Sequence, residues 1–133
     1  MKTAVARDTA ELIIGSGATA YEWYLGTENS HVWDESGRPC DDWHVTYRME
    51  GPEDSILWRV DLDHQVIMKQ ARYVLANTGK LLRTQAGGEY RAWSDALERE
   101  CSHLVFNVDE CDFDASSADE IIQLAAYGEV VFG

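Results

Sequence analysis

The chain has 133 residues, of which 24 are acidic and 11 basic, so that its formal net charge is −13. With 45% hydrophobic residues, 26% charged residues and only two prolines, the composition indicates one folded globular domain over residues 1–133 and excludes a disordered tail or a collagen-like fibre. The acidic balance also argues against direct binding of nucleic acid, which needs a basic surface.

The N-terminal segment has none of the apolar run that a secretory signal carries. The longest apolar stretches, such as residues 12–14, are far too short to cross a bilayer. We therefore expect a cytoplasmic protein without membrane contact.

Three cysteines are present, and this odd, small number argues against a disulfide framework. We expect Cys40, Cys101 and Cys111 to be reduced thiols. Zinc ligation by Cys40 with His44, or by Cys101 with His103, is the alternative. Neither pair has a second half at the spacing of a zinc finger, so no metal and no cofactor is predicted.

The first half of the chain has the pattern of β-strands. Strands are predicted over residues 9–14 and over residues 19–25, where Tyr21, Trp23 and Leu25 would share one face. The polar segment 26–42 is predicted to be a long loop in which Trp33 is exposed.

The clearest strand is predicted over residues 42–50, because apolar and polar residues alternate there. Its apolar positions are Trp43, Val45, Tyr47 and Met49. A turn over residues 51–54 and a strand over residues 55–61 follow, with Ile56, Trp58 and Val60 directed inward. These strands would form an antiparallel meander.

The second half has helical periodicity. One helix is predicted to begin after the capping residue Asp63 and to end near Gly79. A second helix is predicted over residues 89–106. A third is predicted to begin at a capping box that starts with Ser117 and to end at Gly128, and a short strand is predicted over residues 129–132. A sheet must cover the face that it buries. The sequence therefore predicts an α+β fold, a three- or four-stranded antiparallel meander covered on one face by about three helices.

Charge is segregated along the chain. Residues 64–94 hold one acidic and five basic residues, whereas residues 95–133 hold ten acidic residues and one basic residue. The acidic residues of the densest part are Asp109, Glu110, Asp112, Asp114, Asp119 and Glu120. They are compatible with a calcium loop, with paired catalytic carboxylates, with a role in solubility only, or with a surface that imitates a phosphate backbone.

The first two interpretations have little support in the sequence. A calcium loop starting at Asp112 would place Ser117 where that loop requires glycine and Gln123 where it requires glutamate. No phosphate-binding loop, zinc-protease motif or nucleophile elbow is present. We expect a protein without catalytic activity. A small hydrolase is the remaining enzymatic alternative.

The C-terminal run from Asp112 to Gly133 combines an acidic cap, an alanine–aspartate helix start, a glutamine in mid-helix and a glycine–glutamate–valine close. This run resembles the ending of small, uncharacterised acidic proteins of actinobacterial phages and prophages. The resemblance covers residues 112–133 only. It implies an origin in a mobile element and transfers no functional residue.

Small acidic phage proteins often act by occluding host machinery, and size, charge and suspected origin suggest the same class by analogy. We expect a non-catalytic phage-type protein of the host cytoplasm that inhibits a host nucleic-acid enzyme, such as a CRISPR effector or a restriction enzyme. It would present a DNA-mimicking acidic surface to a basic groove. The expected contact residues are Asp109, Glu110, Asp112, Asp114, Asp119, Glu120 and Trp33. The alternative is a structural or accessory phage protein that acts by oligomerisation or partner binding, with acidity serving only solubility.

Overall fold

The computed structural model describes residues 2–52 and 57–133, and there the predicted α+β class is confirmed. Helices pack on one face of a three-stranded antiparallel sheet, and two further short strands form a separate hairpin. The strands are β1 (Tyr24–Trp33), β2 (Pro39–Met49), β3 (Trp58–Asp63), β4 (Leu81–Arg83) and β5 (Glu89–Arg91). The helices are α1 (Ala6–Ile13), α2 (His64–Ala76), α3 (Asp95–Phe106) and α4 (Ala115–Tyr127).

The sheet has the order β1–β2–β3, so the clearest predicted strand lies at its centre. The alternating apolar residues of β2 are buried, as predicted. In β3, Val60 and Leu62 are buried, whereas Trp58 is partly exposed and donates its indole N–H to the carbonyl of Ala126 at 2.7 Å. Residues 53–56, which include Ile56 and part of the predicted turn, lie outside the described residues.

The predicted loop over residues 26–42 is wrong, because most of this segment forms the outer half of the β1–β2 hairpin. The predicted strand over residues 19–25 is wrong for most of its length, because residues 18–20 form a 3₁₀ turn and β1 begins only at Tyr24. Leu25 is exposed. A turn over residues 34–38 joins the strands. There the Asp34 carboxylate accepts hydrogen bonds from the backbone N–H of Ser36 and Arg38, and Gly37 has φ of +79°. Most of the outer part of β1 is exposed, although Val32 is buried, so this strand lacks a clear apolar alternation.

The predicted strand over residues 9–14 is also wrong, because helix α1 occupies most of it. Thr9, Ala10 and Ile13 are buried, a spacing that fits a helix. The Asp8 carboxylate accepts the backbone N–H of Val5 at 2.8 Å and closes the first turn. Trp43 of β2 donates its indole N–H to a carbonyl of this helix, which fixes α1 on the sheet.

Helix α2 begins as predicted, since the Asp63 side chain accepts the backbone N–H of Val66 at 2.9 Å.

The predicted helix over residues 89–106 is shorter than expected, because its first residues form β5 and pair with β4. Helix α3 begins only after Ser94, whose hydroxyl accepts the backbone N–H of Leu97. A serine favours a cap over a helix interior, and this decides where the helix starts.

Helix α4 begins one turn earlier than predicted, with Asp114 as its cap in place of Ser117. It ends as predicted at Gly128, which has φ of +77°. The predicted strand over residues 129–132 is absent. The backbone N–H groups of Val131 and Phe132 donate to the side-chain oxygen of the buried Gln123 instead of to a neighbouring strand.

The core lies between the sheet and the helices. Its largest fully buried apolar side chains are Trp43, Ile13, Met49, Leu62, Ile67, Leu97, Leu104, Ile121 and Ile122. The opposite face of the sheet is polar, and there Glu28 of β1 lies between Arg48 and Arg59. In the described part of the chain, no helix combines the length and the apolar character needed to cross a membrane.

Candidate functional site

Three of the predicted contact acids form an exposed group that we call the acidic loop: Asp109, Glu110 and Asp112. The first two belong to a single turn of 3₁₀-helix, Val108–Glu110, and the third follows in the connection to α4. Lys2 lies 3.9 Å from the Asp109 carboxylate. Within residues 2–52 and 57–133, no cationic side chain lies within ion-pair distance of Glu110 or Asp112.

The acidic loop is held in place at several points. The backbone N–H of Asp112 donates to the buried carboxylate of Glu100 at 2.7 Å, and the backbone N–H of Val108 donates to the carbonyl of Lys2 at 2.9 Å. Val108 and Phe113 are both buried. The loop therefore presents its carboxylates from a fixed backbone.

Glu100 is the anchor of this arrangement. Burial acts to raise its pKa, but hydrogen bonds from the Asp112 backbone, Arg99 and His103 outweigh it and lower that pKa. The Arg99 Nε lies 2.7 Å from the Glu100 carboxylate. Glu100 is thus an ionised acceptor that holds the loop, and sequence analysis did not single it out.

Asp114 is exposed but has a structural task as the cap of α4. Its carboxylate accepts the backbone N–H of Ser117 at 2.7 Å and the hydroxyl of Ser117 at 2.8 Å. These hydrogen bonds lower the pKa of Asp114. A carboxylate at a helix N-terminus is also stabilised by the helix dipole.

Asp119, expected on the surface, is buried and only 4% exposed. It accepts hydrogen bonds from the Trp23 indole at 2.8 Å, from the Tyr24 hydroxyl at 2.7 Å and from the Gln123 amide at 2.8 Å. Burial raises the pKa of Asp119, although these three hydrogen bonds act in the opposite direction. Asp119 therefore does not belong to a contact surface and serves to fix α4 against the start of β1.

Glu120 is only partly exposed and connects two helices. Its carboxylate accepts the backbone N–H of Ser94 at 2.9 Å and also the Ser94 hydroxyl. Because Ser94 caps α3, Glu120 stabilises the junction of α3 with α4. Its charge is therefore directed at a helix terminus more than at solvent.

Trp33 is 43% exposed, in agreement with its predicted exposure. It lies at the outer end of β1, and the edge of its ring approaches Gly15 closely. It therefore belongs to the β1–β2 hairpin and not to the acidic loop.

A second group of polar side chains lies on this hairpin. Cys40 and Asp42 occupy alternate positions of β2, and His31 of β1 is paired with His44 of β2. The His31 Nε2 lies 3.0 Å from the Asp42 carboxylate. In the described residues, His31, Cys40 and Asp42 are the group whose donor atoms could hold a metal ion, all lying within 4.8 Å of one another.

We call His31, Cys40, Asp42 and His44 the hairpin group. Neighbouring charges and hydrogen bonds change the pKa values of Asp42 and Cys40 within it. The hydrogen bond from His31 lowers the pKa of Asp42. Partial burial raises the pKa of the Cys40 thiol, and the carboxylates of Asp42, Asp34 and Asp41 add to this effect. Three carboxylates therefore act on Cys40, and Arg7 offsets part of their charge by pairing with Asp41 at 2.8 Å.

Only half of this group can be predicted from the sequence. The spacing pairs Cys40 with His44, whereas His31 and Asp42 fall within the predicted loop. The other proposed zinc pair is not a metal group in the structure. Cys101 is fully buried, and His103 is bonded to Glu100.

A surface groove of about 370 Å³ collects acids and histidines beside this hairpin. Most of these groups already have a structural task. Asp63 caps α2, His64 Nδ1 lies 2.9 Å from the Thr9 hydroxyl, and Asp41 is 2.8 Å from Arg7. The groove thus offers no pairing of a nucleophile with a free base among the described residues that line it.

No protein-family model, no curated protein and no solved structure matches this chain. The acidic loop and the hairpin group are therefore the observations from which a function can be proposed.

Proposed function

We propose that this protein is a non-catalytic binding protein whose acidic loop engages a basic groove of a nucleic-acid-binding enzyme. The observation that carries the proposal is the exposure of Asp109, Glu110 and Asp112 on one anchored loop. The three acids fall within four residues, and two of them lie on one turn of 3₁₀-helix, which rises only about 2 Å per residue. Such a short acidic segment has a local charge density of the order of that of a phosphate strand, about one charge per 3.4 Å of helix axis.

Pre-organisation supports the same proposal. A flexible acidic tail would lose conformational entropy on binding, whereas a loop that is already ordered avoids most of that loss. The Glu100 carboxylate and the buried side chains of Val108 and Phe113 supply this order in the free protein. Complementary charge would also speed encounter with a basic partner.

The finer proposal concerns the partner. The resemblance of residues 112–133 to acidic phage and prophage proteins, together with the net charge of −13, favours an inhibitor of a host defence enzyme in the host cytoplasm. A CRISPR effector nuclease or a restriction enzyme has a basic groove of the required kind. The inhibitor would occlude that groove stoichiometrically.

The test uses a variant in which the acidic loop is neutralised: Asp109→Asn, Glu110→Gln and Asp112→Asn. DNA cleavage by a panel of purified CRISPR effectors and restriction enzymes is measured at low and at high salt. We expect the native protein to inhibit a member of the panel and the variant to lose potency by about threefold to a hundredfold, since three exposed charge contacts contribute about 0.2–1 kcal/mol each and 1.4 kcal/mol corresponds to a factor of about ten. Inhibition should weaken as salt rises.

The matched control neutralises three exposed acids elsewhere, Glu22→Gln, Glu35→Gln and Glu129→Gln. It removes the same charge and should leave inhibition unchanged. Equal potency of all three proteins, or a panel on which the native protein has no effect, would contradict the proposal.

The alternative, a structural or accessory protein that acts by association, has its own observation. The β4–β5 hairpin consists of two strands only and exposes Leu81 (52%) and Tyr90 (49%). Light scattering on the purified protein separates the two: a stable oligomer that Leu81→Lys dissociates would favour association, and a monomer favours the inhibitor.

A further inference from the structure

Side chains with nitrogen, sulfur and oxygen atoms that could ligate a metal meet on one face of the β1–β2 hairpin. In a strand, alternate residues share a face, so Cys40, Asp42 and His44 of β2 point to the same side. The antiparallel register then places His31 beside them. The His31 and His44 rings lie 5.3 Å apart between centroids.

We propose that this cluster binds a Zn²⁺ ion, with His31, Cys40 and Asp42 as its protein ligands. Imidazole nitrogen, thiolate sulfur and carboxylate oxygen are the donors that zinc takes in proteins. Calcium and magnesium require oxygen donors throughout, so a site with one nitrogen and one sulfur donor disfavours both. A set of three protein ligands leaves the fourth position of a tetrahedral site for water or for a partner's side chain.

The distances fit a site that closes with small movements. Bond lengths of 2.0–2.3 Å place the ligand atoms of a tetrahedral zinc about 3.3–3.7 Å apart. The three donor atoms here lie within 4.8 Å of one another, and His31 Nε2 is already 3.0 Å from Asp42. His31 and Asp42 are exposed, so their side chains can turn without disturbing the core.

The local charge favours a dication. Asp34 and Asp41 add negative charge near Cys40 to that of Asp42, and Arg7 offsets part of it by pairing with Asp41 at 2.8 Å. Carboxylates gathered around a site raise the local concentration of cations. Zinc would neutralise this charge and tie the end of β1 to the start of β2.

The test uses the full chain, stripped with a chelator and kept reduced by a reductant that does not bind metal. Zinc chloride is titrated by calorimetry, and cobalt chloride is titrated by absorption spectroscopy. We expect saturable uptake of one ion per chain, with a thiolate-to-cobalt charge-transfer band and the visible bands of tetrahedral cobalt. Cys40→Ser, His31→Gln and Asp42→Asn should each weaken zinc binding at least about tenfold, because even the loss of an indirect partner of a metal site weakens binding by about 10–100-fold.

Cys111→Ser is the matched control, because Cys111 is the other partly exposed thiol and donates to the Glu100 carbonyl instead of to this cluster. It should leave the stoichiometry and the charge-transfer band unchanged. Circular dichroism checks that every variant is folded. Absence of saturable uptake, zinc binding that survives Cys40→Ser, or a band that disappears in Cys111→Ser would overturn the proposal and leave the His31–Asp42 contact as a hydrogen bond only.

Discussion

Asp114 and Asp119 lie near the start of the same helix, yet their surroundings have opposite effects on their ionisation. Asp114 caps α4 in contact with solvent, and hydrogen bonds from Ser117 lower its pKa. Asp119 lies beneath Trp23 and Tyr24, and burial raises its pKa. The folded state therefore favours the charged form of Asp114 and the protonated form of Asp119.

These directions predict opposite pH responses of two variants. For Asp119, the contribution to stability is greatest below the ordinary carboxyl pKa of about 3.9 and is lost as the pH rises through the higher folded pKa. The free energy of unfolding of the native protein minus that of Asp119→Asn should therefore decrease as the pH rises from acid to neutrality.

Asp114→Asn serves as the contrasting variant, because asparagine is also a good helix cap. For Asp114, the contribution is present above the ordinary pKa and lost as the pH falls through the lower folded pKa. The same difference in the free energy of unfolding should thus increase as the pH rises. Urea unfolding over a pH series measures both, and a common direction for the two variants would contradict the assignment.

At the level of the helix, the end of α4 depends on one backbone conformation. Gly128 has φ of +77°, and its backbone N–H donates to the carbonyl of Leu124. Gly128→Ala should lower the free energy of unfolding by about 1–2 kcal/mol, because an L-residue is strained in the left-handed region.

Gly133→Ala adds the same methyl group at the C-terminal residue, where it would contact nothing. Chemical denaturation of both variants gives the comparison. We expect no measurable change for Gly133→Ala, and an equal loss in the two variants would show that the added methyl group, and not the turn at Gly128, is responsible.

The elements that could be predicted from sequence are those with one buried face. Apolar and polar residues alternate in β2 because the helices cover one side of it. The start of α2 is predictable because Asp63 is a good helix cap. Strand β1 could not be recognised in the same way, since residues 29–31 are exposed and polar. The β-branched side chains of Ile13 and Ile14 favour a strand. The segment forms a helix instead, and contact of α1 with Trp43 stabilises that helix on the sheet.

The candidate sites follow the same rule. Asp109, Glu110 and Asp112 are exposed, as local polarity suggested. The burial of Asp119 could not be predicted, because it depends on Trp23 and Tyr24, which lie far away in the sequence. The hairpin group could be predicted only from the register of β1 against β2. Because β1 cannot be recognised from the sequence, the position of His31 beside β2 cannot be predicted either.

In the whole molecule, repulsion among the excess carboxylates opposes the attraction within local ion pairs. Several arginines are used in ion pairs: Arg7 with Asp41, Arg91 with Asp95, Arg99 with Glu100, and both Arg48 and Arg59 with Glu28. The remaining excess still leaves a net charge of −13. Self-repulsion of this charge destabilises the folded state, and a basic partner would relieve it.

Salt should therefore stabilise the free protein. Between about 0.01 M and about 0.15 M ionic strength the Debye length falls from about 30 Å to about 8 Å. Long-range repulsion is screened over this range, while the close ion pairs lose less. We expect the Tm to rise by a few degrees, which for a domain of this size corresponds to about 1 kcal/mol.

The acidic loop should contribute a measurable part of this effect. The triple variant Asp109→Asn, Glu110→Gln and Asp112→Asn removes three neighbouring negative charges without touching the backbone anchor at Glu100. Its Tm at low ionic strength should exceed that of the native protein, and its response to salt should be smaller. Differential scanning calorimetry at the two ionic strengths measures both quantities. A native protein that salt destabilises would mean that attractive pairs such as Lys2–Asp109 outweigh the repulsion, and relief of self-repulsion would then contribute nothing to the binding of a basic groove.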